Sequence, residues 1–181
     1  MSVVINGSTG INLVQAGAVP VPPTPKVAHA VYTGKTTYAI PTAGQAGTYV
    51  DVLDTTITPS ATSSRIRIDF DITYEVANDT VWRLFRVING VTTEVVRNDD
   101  GNYWAGFAVN MYDTNNSSTG VTNHFGYLDS PNTVLPVTYR IMIQSGGVAA
   151  STLFLNRTFA SAGAANYENG ISQCILTEVL A

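Results

Sequence analysis

The sequence predicts an all-β protein, an antiparallel β-sandwich of the jelly-roll kind with an extended N-terminal arm. Three observations predict it. Residues 64–76 alternate strictly, with Ile66, Ile68, Phe70, Ile72 and Tyr74 on one phase and Arg65, Arg67, Asp69, Asp71, Thr73 and Glu75 on the other. That period of two is the mark of a strand with one face in a core. Turn-forming residues recur between strand-like runs at the spacing of all-β sandwiches. No long stretch carries a 3.6-residue period with caps, so no helix is predicted.

The elements follow in order. Residues 1–25 open with an apolar run containing Val3, Val4 and Ile5, continue through Ile11, Leu13 and Val14, and end with Pro20, Pro22, Pro23 and Pro25. Clustered prolines fix φ and favour extended backbone over helix. The six apolar side chains of this arm are costly to leave in water. The segment therefore reads as an extended arm that lies on another surface, by strand addition or in a groove. The sandwich body is assigned to residues 26–181.

Within the body, strands are expected at 27–32, 36–40, 48–58 and 64–76. Residues 80–88 and 91–97 flank Asn89-Gly90, the strongest short hairpin signal, a type I′ turn. Further strands are expected at 103–112, 121–128, 137–144, 151–158 and 171–180, with a turn at 98–102 and polar loops at 113–120 and 160–170. The last strand is apolar on both phases: Ile171, Ile175 and Val179 on one, Cys174, Leu176 and Leu180 on the other. Such a strand is central, or has its outer face against another subunit. Cys174, Leu176 and Leu180 are the residues assigned to that interface.

Composition narrows the function. Of 181 residues, 45% are apolar and only 12% charged, and the net charge is −4. The charge argues against a nucleic-acid grip built on basic patches. Charge depletion fits surface buried between subunits. No apolar run is long enough for membrane insertion as a helix, and residues 1–25 lack the pattern of a secretory signal. A single cysteine excludes an intrachain disulfide framework.

The chemical motifs fail one by one. Gly34-Lys35-Thr36 resembles the end of a phosphate loop, but the required upstream glycine position holds His29. The segment Thr33-Gly34-Lys35 reads as a hairpin turn instead. His124 shares a strand face with Thr122, Gly126 and Leu128 and reads as a satisfied strand histidine. Asn98, Asp99, Asp100 and Asn102 offer oxygens for calcium but lack the full loop spacing, so a plain turn is the default reading. Asp69 and Asp71 lie beside Arg65 and Arg67, which points to salt bridges rather than to a carboxylate pair for hydrolysis. Trp82, Trp104, Tyr103, Tyr112 and Tyr127 are candidates for stacking on sugars. Asn6, Asn78, Asn115, Asn116 and Asn156 each begin an Asn-x-Ser/Thr triplet, at a frequency chance explains. No catalytic residue, metal ligand or cofactor is assigned.

One ordered set of landmarks carries a resemblance. Val4-Ile-Asn-Gly-Ser-Thr-Gly-Ile11 is similar to the opening of many phage tail-fibre and virion proteins. Thr56-Ile-Thr-Pro-Ser-Ala-Thr-Ser-Ser-Arg-Ile-Arg-Ile68 follows, then Tyr127-Leu-Asp-Ser-Pro131, Thr138-Tyr-Arg140, Leu155-Asn-Arg-Thr158, and the ending Ile171-Ser through Leu176-Thr-Glu-Val-Leu-Ala181. Together they resemble phage virion structural proteins of the tail-fibre, fibre-tip or capsid-decoration type, as in marine and cyanobacterial phages. The resemblance implies a non-enzymatic homotrimer made in the bacterial cytoplasm and carried in the virion, with Val3, Val4, Ile5, Ile11, Leu13 and Val14 of the arm attaching it to the virion or to a neighbouring subunit. Its partners would be itself, other tail or capsid proteins, and a host-surface glycan or protein. As a fibre tip, loops 113–120 and 160–170 would meet the host. The chain departs from the usual fibre in having no long shaft, which raises the decoration alternative. A polysaccharide-active enzyme is the remoter one.

Overall fold

Two antiparallel sheets pack face to face, and the long alternating strand lies inside one of them. The computed structural model describes residues 4–6, 10–12, 24–42, 44, 46–97, 105–110, 114, 117–147, 149–161 and 167–180. Among these, the strands are β1 (Val4–Asn6), β2 (Gly10–Asn12), β3 (Val27–Tyr32), β4 (Thr36–Ile40), β5 (Thr48–Tyr49), β6 (Thr55–Ile57), β7 (Arg65–Glu75), β8 (Thr80–Ile88), β9 (Val91–Val96), β10 (Ala108–Val109), β11 (Val121–Asp129), β12 (Val137–Ser145), β13 (Ser151–Leu155) and β14 (Ser172–Val179). One turn of 3₁₀ helix, Asp51–Leu53, separates β5 from β6.

Several strands are halves of one passage. β13 pairs with β7 at Tyr74 and Glu75, and β14 continues down the same side of β7 from Asp71 to Arg65. β3 and β4 run end to end along β14 and β13. β9 and β10 share one side of β8, and β6 and β5 share one side of β12. Counted as passages in chain order, the first sheet runs first, eighth, third, sixth: β3/β4, β13/β14, β7, β11. The second runs second, seventh, fourth, fifth: β5/β6, β12, β8, β9/β10. Strands that follow each other in the chain mostly sit in opposite sheets, as the paired Greek keys of a jelly roll require. The expected all-β sandwich is the observed fold.

The core forms where the sequence places it. Ile66, Ile68, Phe70, Ile72 and Tyr74 point inward and are almost fully buried. The opposite sheet answers with Trp82, Leu84, Tyr139, Ile141 and Ile143. Trp82 packs edge-on against Tyr74, with centroids 5.3 Å apart, and tilted against Phe125 at 5.5 Å. The Trp82 indole N–H donates to Asn110 Oδ1 at 2.7 Å, so the ring is buried without an orphaned donor. The Asn89-Gly90 hairpin is present, with φ of 50° and 79°, both on the left-handed side that a type I′ turn demands.

Two expectations are corrected. Thr33-Gly34-Lys35 is not a hairpin turn, because β3 and β4 do not pair with each other; they are two halves of one passage, and the three residues are the joint between them. The run at 48–58 is not one strand, because the 3₁₀ turn lifts Asp51–Leu53 out of the ladder and drives Leu53 into the core. A further addition to the expected arm is that β1 pairs with β2 as a small hairpin, its strands extended. Of the strand expected at 103–112, the described part pairs only at Ala108 and Val109, and the turn at 98–102 lies outside the described residues.

Candidate functional site

The two ends of β7 differ in what they hold. At its C-terminal end stands Glu75. By alternation Glu75 shares the outward phase of Asp69 and Asp71, yet it is 1% exposed. Two loops fold over it. The Ser117 amide donates to Glu75 Oε1, and the Phe159 amide donates to Oε2 at 2.7 Å. The Ala160 amide reaches the Ser117 carbonyl at 2.9 Å. A Cβ at Gly120 would lie 3.1 Å from Thr158 Cγ2, so the absent side chain lets the loops close on each other. One carboxylate thus joins the loop 113–120, at Ser117, to Phe159, the residue before the loop 160–170.

Asn156 fastens the second loop to the sheet. It is fully buried at φ 59°. Its Nδ2 donates to the carbonyls of Tyr32 and Gly34 at 2.7 and 2.8 Å, and its Oδ1 accepts from the Ser172 hydroxyl at 2.6 Å. Its own amide bonds the Thr73 carbonyl at 2.8 Å. Asparagine tolerates the left-handed conformation where other residues pay strain. It bridges both halves of the divided passages, and its burial removes it as a glycan acceptor.

This framework presents rings to solvent. Phe159 is 51% exposed and Tyr167 40%. Phe159 leans edge-on against Phe154, with centroids 5.4 Å apart, and the Arg157 guanidinium lies 5.0 Å over the Phe154 ring. A ring held by backbone bonds loses little freedom on contact, which favours binding.

The arm leaves from the other end. Lys26 lies beside Glu178, which pairs with Ile66 near the start of β7. The Glu178 amide donates to the Lys26 carbonyl at 2.8 Å, and the Lys26 ammonium donates to the Thr58 carbonyl at 2.8 Å. Glu178 accepts from the Ser60 amide at 2.5 Å and the Ser60 hydroxyl at 3.0 Å, as well as from the Lys26 amide at 3.3 Å. Burial works to raise this carboxyl, but the donated bonds outweigh it and hold the group below its usual range. The β7 strand separates this clamp, opposite Ile66, from Glu75 by about 30 Å, at roughly 3.3 Å per residue.

Between the ends, the outer face of the first sheet is a bonded polar network. Arg67 makes two bonds to Asp69, at 2.8 and 3.0 Å. Asp71 accepts from Gln173 at 2.7 Å and contacts His124 Nδ1 at 2.9 Å, and these two partners lower its pKa, Gln173 foremost. Gln173 in turn contacts His29 at 3.0 Å. The expected salt bridging is seen for Asp69, and His124 is a satisfied strand histidine on the face named for it.

The remaining sequence candidates scatter. Cys174 and Leu176 face inward and are 0% exposed, so they fill the sandwich core and present nothing to a partner; Leu180 is partly buried beyond the strand. The outward residues of β14 are Gln173, Ile175, Thr177 and Val179. Burial also pushes the Cys174 thiol up to about 12. Trp82 is core, and Tyr127 is half-buried. Trp104, Tyr103, Tyr112, Asp99 and Asp100 lie outside the described residues, as do Val3, Leu13 and Val14 of the arm; Val4, Ile5 and Ile11 fall in β1 and β2. Sequence reasoning missed Glu75, Asn156 and Glu178. Asn156 gave no periodic signal, Glu178 shared the phase of Cys174 and Leu176 that alternation marks but does not assign to the core, and Glu75 looked like one more solvated acid.

A scan against family models finds no match, and a search of curated proteins finds none either. Among solved structures, the chain is similar to three of infectious bursal disease virus. One is of the Gx strain, at TM-score 0.39 and 11% identity, covering 100% of this chain and 43% of that one. A second is a mutant VP2 protein in derived T=1 particles, at 0.40 and 13%, covering 100% and 41%. The third is a VP2 subviral particle, at 0.37 and 10%, covering 87% and 37%. The chain spans about two-fifths of the length of these chains. At such TM-scores the likeness carries no argument about function.

Proposed function

We propose that this is a non-enzymatic structural protein of a bacteriophage particle, a short trimeric tail-fibre or fibre-tip protein that helps attach to the host surface. One observation carries the reading: the arm leaves from one end of the sandwich, and the ring-bearing loops pinned on Glu75 stand at the other. That polarity suits a protein fixed at one end and in contact at the other. The jelly-roll topology is compatible, being common to viral and lectin domains, but a fold alone does not assign a function. The phage-protein landmarks in the sequence add to the reading.

The use made of the acids supports the non-enzymatic part. Asp129 accepts from Arg86 at 2.7 Å and from the Tyr139 hydroxyl at 2.8 Å, Glu94 takes Arg83, and Asp54 takes Arg140. Glu75 and Glu178 hold backbone amides. These carboxylates do structural work.

A stained gel of purified particles tests the reading. A band at low copy number, of the order expected for symmetric tail appendages, is the expected result. Hundreds of copies would replace it with capsid decoration. Absence of the chain from particles would overturn the virion reading and return the polysaccharide-active enzyme to consideration.

A further inference from the structure

We infer that the edge of β11 left unpaired among the described residues accepts the β1–β2 hairpin of a second copy, so that neighbouring chains are joined by strand addition. The inference deepens the reading of a self-associating particle protein and rests on it.

Four observations carry the argument. First, β1 and β2 pair with each other over three residues each, and among the described residues neither pairs with the body. An isolated two-stranded hairpin is marginal in water; a third strand or a packed layer is needed to hold it. Second, β11 is nine residues long and pairs with β7 in unbroken register from Val121–Tyr74 to Asp129–Ile66, while among the described residues no strand pairs along its other edge. Soluble proteins usually blunt such an edge with lysine, proline, a bulge or shortness. β11 contains neither lysine nor proline and no bulge. The other margins are interrupted: β9 has a register shift at Leu84/Phe85, β10 and β5 have two residues each, and β6 has three.

Third, a groove of about 560 Å³ runs beside β11, between it and the β9/β10 margin of the other sheet. Its walls include Val96, Phe107, Phe125 and Tyr127. The rings of Phe107 and Phe125 meet edge-on at 5.8 Å. An added strand would set alternate side chains into this groove while its backbone bonds the edge. The arm supplies apolar residues on both strands, with Val4 and Ile5 on one and Ile11 on the other.

Fourth, the geometry favours a neighbour. The arm leaves beside β3, which is one margin of the first sheet, and β11 is the opposite margin. Donor and acceptor on opposite margins make a head-to-tail contact, the kind that closes a ring of copies. Residues 13–25 span up to roughly 40 Å when extended, enough to cross to an adjacent molecule. Several such contacts in one ring reinforce each other through effective concentration.

Cysteine trapping in the full-length chain tests this. Ile5→Cys is placed in one tagged chain, and Thr122→Cys or Leu128→Cys in another of different size. Both edge positions are exposed, and the native Cys174 is buried in the core. On co-expression and mild oxidation, a mixed disulfide between the two chains is expected with at least one edge position. Thr37→Cys, exposed on the β3/β4 margin, is expected to give none. Sedimentation of the wild-type chain is measured in parallel. An oligomer without the mixed disulfide overturns the β11 contact and leaves the self-association reading standing. A third chain carries Ile5→Cys together with the edge cysteine; a disulfide formed only within that chain, with none between the two singly substituted chains, overturns the exchange in favour of self-docking. A wild-type monomer overturns both.

Discussion

Asn156 shows how much one side chain organises here. Its amide closes the gap between two divided passages by donating to two backbone carbonyls on β3 and its joint. Asn156→Ala would leave those carbonyls without their partner and put a Cβ residue without a compensating bond at φ 59°. The expected loss is roughly 3–5 kcal/mol, read as a lowered midpoint in urea unfolding. Glu178 acts at the opposite end, and its effect depends on pH. Its folded pKa lies below the unfolded value, so its contribution is fully present above about pH 4.3 and fades as pH falls through the folded value. Asp71 is depressed in the same direction. Melting temperature should therefore hold level from neutral pH to about pH 5 and fall below about pH 4. Glu178→Gln should lower the neutral melting temperature and flatten that fall. An acid limb of unchanged steepness in the variant would contradict the assignment.

At the scale of elements, the sequence was legible wherever one strand carried its own pattern. The alternation in β7 placed all five inward residues correctly, and Asn89-Gly90 placed the β8–β9 hairpin to the residue. Gly90→Ala should cost about 1–2 kcal/mol, because its φ of 79° is strained for any residue with a Cβ; thermal unfolding measures it. What stayed hidden was relational. Nothing in residues 151–155 or 172–179 announces that they lie in line on one side of β7, since the long loop between them is longer than a hairpin turn. The inward phase of β14 was read as an interface for a similar reason: alternation separates two faces but does not say which one meets the core. Glu75 escaped because its phase matches Asp69 and Asp71, and only the loops folding over it decide its burial. The candidate loops were therefore legible as segments, while the carboxylate that unites them was not.

At the scale of the molecule, the arrangement is a polarised sandwich with an arm at one end and a ring-bearing loop surface at the other. In the proposed attachment role the exposed Phe159 and Tyr167 would be the contacts for a host surface, since their rings combine large area with little conformational freedom. On that proposal, added full-length protein should slow adsorption of the phage that carries it, and Phe159→Ala combined with Tyr167→Ala should remove that competition without unfolding the chain. Equal competition by the variant would shift host contact away from this end. The proposed role places the protein at the tail of the particle, with its arm inward and its loops outward. Electron microscopy of intact particles labelled with an antibody to residues 27–181 reads that placement. Label confined to the tail, at its host-facing tip, is the predicted result; label spread across the head, or none on an accessible epitope, would contradict it.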